Sequence, residues 1–325
     1  MVEPPSQLLN DFRKIKKLGE GSFGEAYLVE DMKTNERYAM KIVSKADIVD
    51  QFRMTELEFL KTADHPFIIK YISDFPFPNE SIDKHCIVLE YADGCDLRQK
   101  MAAVNYIITE KVALNWQTHV CLALAQIHAR GLVHRDIKPD NILIVGKEAG
   151  GVAKLGDFGT IKHILSTSKH TYRVGTCQYF APEKRGLNYQ GEADKWSLGV
   201  VLYEMVSGGQ FPFDYDFENG SLDDYMSQLP HLELKQIPGN ISKRCKVLIE
   251  KMLQKDPNNR PNIFDVLNSK IIKERIRLIT EEQVLGTEKA ERIKQQLVQL
   301  GLQKAENAEA EEQKQMSDMH DASMC

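Results

Sequence analysis

The chain has 325 residues, of which 42% are hydrophobic and 27% are charged. This composition excludes a collagen-like chain and a mainly disordered one, and the length predicts one large domain or two lobes. Because 42 basic residues face 47 acidic ones, the net charge of −5 gives no support to general affinity for nucleic acid and leaves only a local basic patch open.

The six cysteines include no C-x-x-C pair, which argues against a zinc ribbon and a disulfide framework. We expect reduced thiols in a cytoplasmic protein, with the nucleus as the alternative. No stretch approaches the ~18 apolar residues of a membrane span, and no signal-peptide pattern is visible. Cys325 is the last residue and not the first of a prenylation box, so we expect no lipid anchor and no membrane partner.

Residues 12–43 alternate β-prone stretches with breaks that contain glycine or asparagine, which predicts three antiparallel strands. Residues 45–62 have apolar side chains near helical spacing, and this helix should end at His65-Pro66. More strand-like runs follow at 67–75 and 86–91. We therefore predict a small β-rich lobe with one helix up to about residue 90.

Helical patterns dominate after Asp96, and the clearest helices are predicted at 111–129, 194–206 and 242–253. Residues 271–325 differ again, because their apolar residues have the spacing of amphipathic helix faces: Ile276, Ile279, Ile293, Leu297 and Leu300. Packing against the parent domain is the simpler interpretation, and a dimerisation or autoregulatory helix is the alternative. Residues 301–325 are acidic and poor in apolar residues, which predicts a disordered tail.

The sequence Gly19-Glu20-Gly21-Ser22-Phe23-Gly24 is a G-x-G-x-x-G pattern, which both dinucleotide-binding folds and phosphate-covering hairpins share. Here a strand-like run follows the glycines, and Lys41 stands 17 residues after Gly24. Backbone amides of a glycine hairpin can approach phosphate groups, and a strand-borne lysine adds a fixed cation. Nucleotide-phosphate binding is therefore favoured over an ordinary glycine-rich hairpin.

Three more motifs follow in order: V-H-R-D-I-K-P-D-N at 133–141, L-G-D-F-G at 155–159 and A-P-E at 181–183. With these motifs the chain from residue 12 to about 269 resembles the eukaryotic protein kinase family, serine/threonine type. The resemblance implies an α+β, two-lobed kinase fold with a small β-rich lobe and a larger, mostly helical one. Its implied boundaries are a lead at 1–11, a domain at 12–270 with a hinge at 90–94, and an extension at 271–325.

The resemblance further implies transfer of the γ-phosphate of ATP, with Mg²⁺, to serine or threonine hydroxyls of protein substrates. Lys41 would hold the α- and β-phosphates and pair with Glu56 of the predicted helix; Glu58 is the competing candidate, and the two should point in different directions. Asp157 would bind one Mg²⁺ and Asn141 a second.

The implied catalytic residues are Asp136, which would accept the hydroxyl proton, Lys138, which would stabilise the transferring phosphate, and Thr176, which would contact both. The other implied ATP contacts are Leu18, Gly19, Gly21, Gly24, Ala26, Ala39, Leu89, Glu90, Ala92, Asp96 and Leu143. Ala26 replaces the usual pocket valine of the family, and Val29 is offset from it. The roof of the adenine pocket should therefore be smaller than usual.

Several residues match structural features of active kinases: the stack of Leu60, Tyr71, His134 and Phe158, its anchor Asp194, and the pair Glu183 and Arg260. Arg135 would bind a phosphorylated activation segment, and we predict the phosphate on Ser168 or Thr171. Asp96 and Asp140 indicate a mild preference for a basic residue upstream of the acceptor; a ribose-facing or solvated position for both is an equal alternative.

A pseudokinase, which would be a binding scaffold, is the rival hypothesis. It is disfavoured because Lys41, Asp136, Asn141 and Asp157 are all present. A small-molecule kinase is a weaker rival, since the A-P-E segment is uncommon there. Residues 154–159 resemble the NIMA-related kinases and residues 175–183 the calcium/calmodulin-dependent ones, so the subfamily, substrate and pathway stay open.

Overall fold

An antiparallel sheet forms the first part of the chain, and helices dominate the rest. The computed structural model describes residues 9–21, 24–44, 51–77, 84–146, 150–163, 177–185, 191–281 and 285–302. The strands are β1 Phe12–Gly21, β2 Gly24–Asp31, β3 Arg37–Ser44, β4 Tyr71–Pro76, β5 Lys84–Glu90, β6 Leu132–Val133, β7 Ile142–Val145, β8 Val152–Leu155 and β9 Lys162–His163. The helices are α1 Gln51–Thr62, α2 Leu97–Ala103, α3 Glu110–Ala129, α4 Gly191–Val206, α5 Leu222–Gln228, α6 Lys243–Met252, α7 Ile263–Asn268, α8 Lys270–Glu281 and α9 Thr287–Gln299.

The small lobe is a five-stranded sheet in the order β1-β2-β3-β5-β4 with every neighbouring pair antiparallel. The turn between β2 and β3 lies where the sequence predicts it. Asp31 Oδ1 accepts hydrogen bonds from the backbone of Lys33 and Thr34, and Asn35 adopts φ 59°, a left-handed conformation that asparagine tolerates. The three predicted strands over residues 12–43 are thus confirmed.

The large lobe is built around α3 and α4. All residues of α4 apart from Glu192 are buried, which is typical of a helix at the centre of a domain. Thr109 caps the start of α3 by accepting a hydrogen bond from Val112, and Ser242 caps α6 in the same way through Cys245. The predicted helices at 111–129, 194–206 and 242–253 are therefore present, with ends that differ by at most three residues.

One prediction in the first lobe needs correction, and a second is tested only in part. The predicted strand at 67–75 begins only at Tyr71, because Ile68 forms a parallel bridge with Leu155 of β8 and is not part of the small-lobe sheet. The predicted helix at 45–62 is described as a helix from Gln51, and residues 45–50 lie outside the described part.

The two C-terminal helices pack on the domain. Ile276 and Ile279 of α8, and Ile293 and Leu297 of α9, are buried, and Leu300 is partly buried against the same core. This agrees with the simpler interpretation of the extension; self-association and autoregulation stay predictions. The predicted disordered tail falls almost wholly on residues 303–325, outside the described residues.

The described part of the chain also bears on the cysteines and on membrane-spanning segments. Five cysteines there are free thiols: Cys86, Cys95, Cys121, Cys177 and Cys245. Among the helices described, none is both long and apolar enough to span a bilayer.

Candidate active site

Lys41 of β3 lies between two carboxylates from different elements. Its Nζ is 3.1 Å from Glu56 Oε1 on α1 and 3.0 Å from Asp157 Oδ1, two residues after β8. Burial acts to lower the pKa of Lys41, but the charges of Asp157 and Glu56 outweigh it and raise that pKa. Glu58 is exposed. The structure therefore places Glu56, and not Glu58, beside Lys41.

The pKa of Asp157 moves the other way. Burial acts to raise it, but the Lys41 ammonium outweighs that effect and holds the pKa below its ordinary value. Asp157 is thus an anion at neutral pH. Its φ of 49° is unusual for a residue with a side chain, and such conformations concentrate at functional sites.

Asp136, Lys138 and Asn141 meet in the loop between β6 and β7. Lys138 Nζ lies 2.9 Å from Asp136 Oδ2, and Asn141 Nδ2 donates to the same oxygen at 2.8 Å. Asn141 Nδ2 also donates to the Asp136 carbonyl at 2.7 Å. Both side chains therefore bind the same carboxylate oxygen and fix the orientation of Asp136.

A hydrogen bond joins this loop to the segment that carries Asp157. The backbone N–H of Gly156 donates to the carbonyl of Asn141 at 2.9 Å. A Cβ on Gly156 would lie 3.0 Å from Leu143 Cδ1, so a larger residue at 156 would disturb Leu143. The two sets of charged groups therefore belong to one site.

Asp194 of α4 fixes the loop between β6 and β7 through hydrogen bonds. Its carboxylate accepts hydrogen bonds from the backbone N–H groups of His134 and Arg135 at 2.9 and 2.8 Å and from His128 Nε2 at 2.9 Å. Although burial acts to raise the pKa of Asp194, His128 and the other donors lower it. Arg135 has φ 75°, and Asp194 supports this conformation.

His134 has the packing role that the sequence predicts. It is buried, its Nδ1 accepts from the Asp136 N–H at 3.4 Å, and its Nε2 therefore carries the proton and donates to the Gly156 carbonyl at 3.1 Å. Its ring meets Phe158 edge-on at 5.1 Å. The ring of Phe59 on α1 also lies against Phe158, at 5.0 Å between centroids.

The sequence interpretation missed Phe59. Leu60 is buried in the main core and Tyr71 is partly buried against it, and their places in the stack stay predictions. However, Phe59 is the α1 residue with a ring contact to Phe158. Its position three residues after Glu56 was the available signal, because such residues share one side of a helix.

Gly24 and Gly19 of the hairpin differ in what a side chain at each position would meet. Gly24 has φ 122°, and a Cβ there would lie 2.0 Å from the Ile42 carbonyl oxygen, so β2–β3 packing alone requires glycine. A Cβ on Gly19 would meet no atom of the described residues within 4 Å. Gly19 thus leaves open space where a phosphate could approach the backbone, while Gly21 pairs with Gly24 at the end of β1.

The strands behind the hairpin explain the offset of Val29. Ala26 pairs with Gly19 on β1 and Lys41 on β3, next to the charged site. Val29 is fully buried in the small-lobe core with Met40. The side chain near the site is thus the small Ala26.

The other implied adenine contacts lie on β1, β3 and β5 of this sheet and in the hinge. Leu18 lies at an irregularity in the β1–β2 pairing and is 39% exposed. Ala39 of β3 is paired with Leu89 of β5, and Ala92 follows β5 outside any regular element. Leu18, Ala39 and Leu89 therefore belong to the sheet that carries Lys41.

Two implied ATP contacts have structural partners. The Glu90 carboxylate binds Lys154 Nζ of β8 at 2.7 and 2.8 Å. Asp96 caps α2 by accepting a hydrogen bond from the Gln99 N–H at 2.8 Å. Burial raises the pKa of Asp96 above its ordinary value. These carboxylates therefore stabilise the fold around the hinge, which the sequence did not indicate.

The comparison with family models matches residues 12–272 to the protein kinase domain. The chain belongs to the protein kinase family. Its α+β fold, with a sheet-rich small lobe and a helical large lobe, is the fold that the resemblance implies.

Similar kinases have several different names. The chain is 29% identical to mouse serine/threonine-protein kinase Nek1 over 86% of this chain and 23% of that protein. It is 34% identical to RAC-beta serine/threonine-protein kinase B of Xenopus laevis over 79% and 51%, and 32% identical to the ovarian-specific serine/threonine-protein kinase Lok of Drosophila melanogaster over 82% and 57%. The chain thus spans a quarter to about half the length of these relatives, and the similar identities select no subfamily.

The predicted basic-residue site of this kinase contains an arginine of its own. Arg98 of α2 binds Asp140 at 3.1 Å, Glu204 Oε1 of α4 at 3.0 Å and the Tyr179 hydroxyl at 2.5 Å. Tyr179 donates to Glu204 Oε2 at 2.6 Å. Asp140 is therefore paired with Arg98, which the sequence did not indicate; a ribose-facing position and the basic-residue preference both stay predictions.

The pair predicted for the large lobe is present. Arg260 binds both oxygens of Glu183, at 2.5 and 2.7 Å, and donates to the Gln254 carbonyl at 2.7 Å. Ser168, Thr171 and Thr176 lie outside the described residues, so their predicted roles stay predictions.

The chemistry of the charged site fits Mg²⁺ together with a nucleotide. Asp157 offers a carboxylate, and Asn141 offers its amide oxygen because its nitrogen binds Asp136. Within the described residues, no group of three or more histidine, cysteine, aspartate or glutamate side chains could hold a metal alone. Mg²⁺ commonly takes one or two protein ligands and completes its shell with phosphate oxygens and water, so this donor set suits it.

Proposed function

We propose that this chain is an ATP-dependent protein serine/threonine kinase that uses Mg²⁺. The observation that carries the proposal is the meeting of Lys41, Glu56 and Asp157 beside the loop of Asp136, Lys138 and Asn141. Phosphoryl transfer needs charge neutralisation and positioning, and this arrangement offers both.

Binding of the nucleotide would depend on the small lobe. The ammonium of Lys41 is fixed between two carboxylates, so it can meet the α- and β-phosphates without first being ordered. The open space at Gly19 allows the backbone of the hairpin to approach them. Mg²⁺, when bound by Asp157 and Asn141, would neutralise charge on the phosphates.

Transfer itself would depend on the loop between β6 and β7. Asp136 would accept the hydroxyl proton while the substrate oxygen forms its bond to the γ-phosphorus; the bond to the β–γ bridging oxygen breaks and ADP leaves. Lys138 and Asn141 hold the Asp136 Oδ2 atom, which leaves Oδ1 clear of these two contacts. Lys138 would also stabilise charge on the transferring phosphoryl group.

The acceptor class is supported by the relatives, several of which carry serine/threonine-protein kinase in their names. The basic-residue preference and activation by a phosphate on Ser168 or Thr171 belong to the same proposal. A phosphate there would add negative charge that Arg135 could bind.

The test uses the full chain, phosphorylated beforehand on its activation segment, with labelled ATP, Mg²⁺ and a generic basic protein. The control is D136N, which keeps the size of the side chain and removes the base. We expect label on serine and threonine, and loss of transfer when a chelator removes Mg²⁺. Incorporation no greater than that of D136N would contradict the enzyme and favour the pseudokinase alternative.

A further inference from the structure

One face of helix α9 lies against the kinase domain. Ile293, Gln296 and Leu297 are buried, and their spacing of three and four residues places them on the same side of the helix. Ile293 and Leu297 belong to the hydrophobic core that also contains Phe59 of α1. Gln296 is thus a buried polar group inside an apolar contact.

Both ends of the Gln296 side chain have partners in different parts of the domain. Its Oε1 is 2.7 Å from His65 Nε2, and its Nε2 donates to the carbonyl of Leu122 on α3 at 3.0 Å. His65 Nδ1 accepts from the Phe67 N–H at 3.2 Å, so Nε2 carries the proton and donates to Gln296. Gln296 therefore connects α3 to the segment between α1 and β4.

This segment is continuous with the helix that carries Glu56. His65 lies three residues after the end of α1 and nine residues after Glu56. Phe67 stacks on His119 of α3 at 4.3 Å between centroids, so the segment is held against α3 at a second point. A displacement of His65 would be transmitted along α1 to the Lys41–Glu56 pair.

The same segment also supports β8. The Leu155 N–H donates to the Phe67 carbonyl at 2.8 Å, and the Ile69 N–H donates to the Leu155 carbonyl at 3.0 Å. Asp157, the second partner of Lys41, follows Leu155 by two residues. Both carboxylates around Lys41 are therefore attached to the segment that Gln296 holds.

We propose that Gln296 is a positioning residue for phosphoryl transfer, acting through His65 on the ion pairs that Lys41 makes with Glu56 and Asp157. This inference rests on the proposed function. The nearby pair of Arg292 and Asp64, 2.5 Å apart, lies at the exposed edge of the same contact, where an ion pair contributes little. The buried amide is the specific link.

The test compares two variants of the full chain. Q296M keeps the length of the side chain and removes both hydrogen bonds, whereas Q295M makes the same change on the exposed face of α9. We expect Q296M to lower kcat about fivefold, as loss of a buried hydrogen bond implies, while Q295M keeps the wild-type value. Amide hydrogen exchange across α1 should be faster in Q296M alone.

The exchange measurement separates positioning from a purely structural role and does not depend on activity. Wild-type kcat in Q296M, or a lower kcat with unchanged exchange across α1, would overturn the inference. An inactive wild-type chain would contradict the proposed function instead, and exchange would still test the contact. Should Q296M not fold, H65N is the second variant. It removes the bond between residue 65 and Gln296, while the asparagine amide oxygen can still accept from the Phe67 N–H. Unchanged kcat and unchanged exchange in H65N would overturn the inference.

Discussion

At the residue scale, the charge on Lys41 depends on the two carboxylates that flank it among the described residues. Its side chain is only 17% exposed, so an isolated ammonium there would be strongly disfavoured by desolvation. The Glu56 and Asp157 carboxylates offset that cost and fix its direction. Removal of one partner should therefore reduce catalysis more than it reduces folding.

The first prediction tests this with two glutamates of the same helix. E56Q should lower kcat on the order of 10- to 100-fold, because Lys41 loses one of the two carboxylates that hold its ammonium in place. E58Q is the matched control, since Glu58 is exposed on α1. Steady-state phosphorylation with varied ATP measures both. Equal losses in the two variants would contradict the role of Glu56.

The second prediction concerns Arg98 and the choice of substrate. Arg98 occupies carboxylates of Asp140 and Glu204 that a basic substrate residue could bind. R98Q should therefore select basic residues upstream of the acceptor about 5-fold more strongly, a change worth about 1 kcal/mol. K100Q on the same helix is the control, because Lys100 forms no ion pair with the described residues. A peptide library profile identical for wild type and R98Q would refute this.

At the element scale, the spacing of apolar residues and the positions of turn and capping residues predicted most of the strands and long helices. The strands over 12–43 and the helices at 111–129 and 194–206 are local consequences of apolar spacing, glycines and caps. The segment 67–70 was assigned wrongly because its bridge to Leu155 joins residues 87 positions apart. Such pairing follows from tertiary packing, which a local pattern does not contain.

The sequence likewise predicted only part of the candidate site. Motifs placed Lys41, Asp136 and Asp157, since their spacing along the chain is distinctive. The motifs did not indicate Phe59, Arg98 or the caps and ion pairs of Asp96 and Glu90, because each depends on a partner in another element. A polar side chain can either bind a ligand or stabilise the fold, and only the position of its partner in the structure distinguishes the two roles.

The third prediction concerns how Arg260 connects elements of the large lobe. Its guanidinium is buried and binds Glu183 through both oxygens. R260Q should lower the free energy of unfolding by about 3 kcal/mol, because it leaves Glu183 without its cation. R277Q breaks an exposed pair with Glu281 on α8 and should cost at most ~0.5 kcal/mol. Urea unfolding compares them, and similar midpoints for the two variants would contradict the difference.

At the scale of the whole molecule, buried neutral histidines link stability to pH. Burial lowers the pKa of His119 to about 3 and that of His65 to about 4. An unfolded chain binds protons at these histidines near pH 6.5, whereas the folded chain does not until the pH is much lower. The unfolded state therefore binds more protons below about pH 6.5, and stability falls as the pH is lowered through that value.

The last prediction isolates this effect at His119. Protonation of this histidine below pH 6.5 favours the unfolded chain, so between pH 7.5 and 5.5 it lowers the free energy of unfolding by about 1.4 kcal/mol. H119N keeps an acceptor for the Ala153 N–H, which His119 Nδ1 binds at 3.2 Å, but it cannot titrate. Urea unfolding at both pH values should therefore show a loss of stability in H119N that is smaller than in wild type by about 1.4 kcal/mol. Equal losses would contradict the prediction, because they would mean that His119 takes up its proton in the folded chain as readily as in the unfolded one. The hydrogen bond from the Ala153 N–H opposes that protonation, because it requires a lone pair on Nδ1.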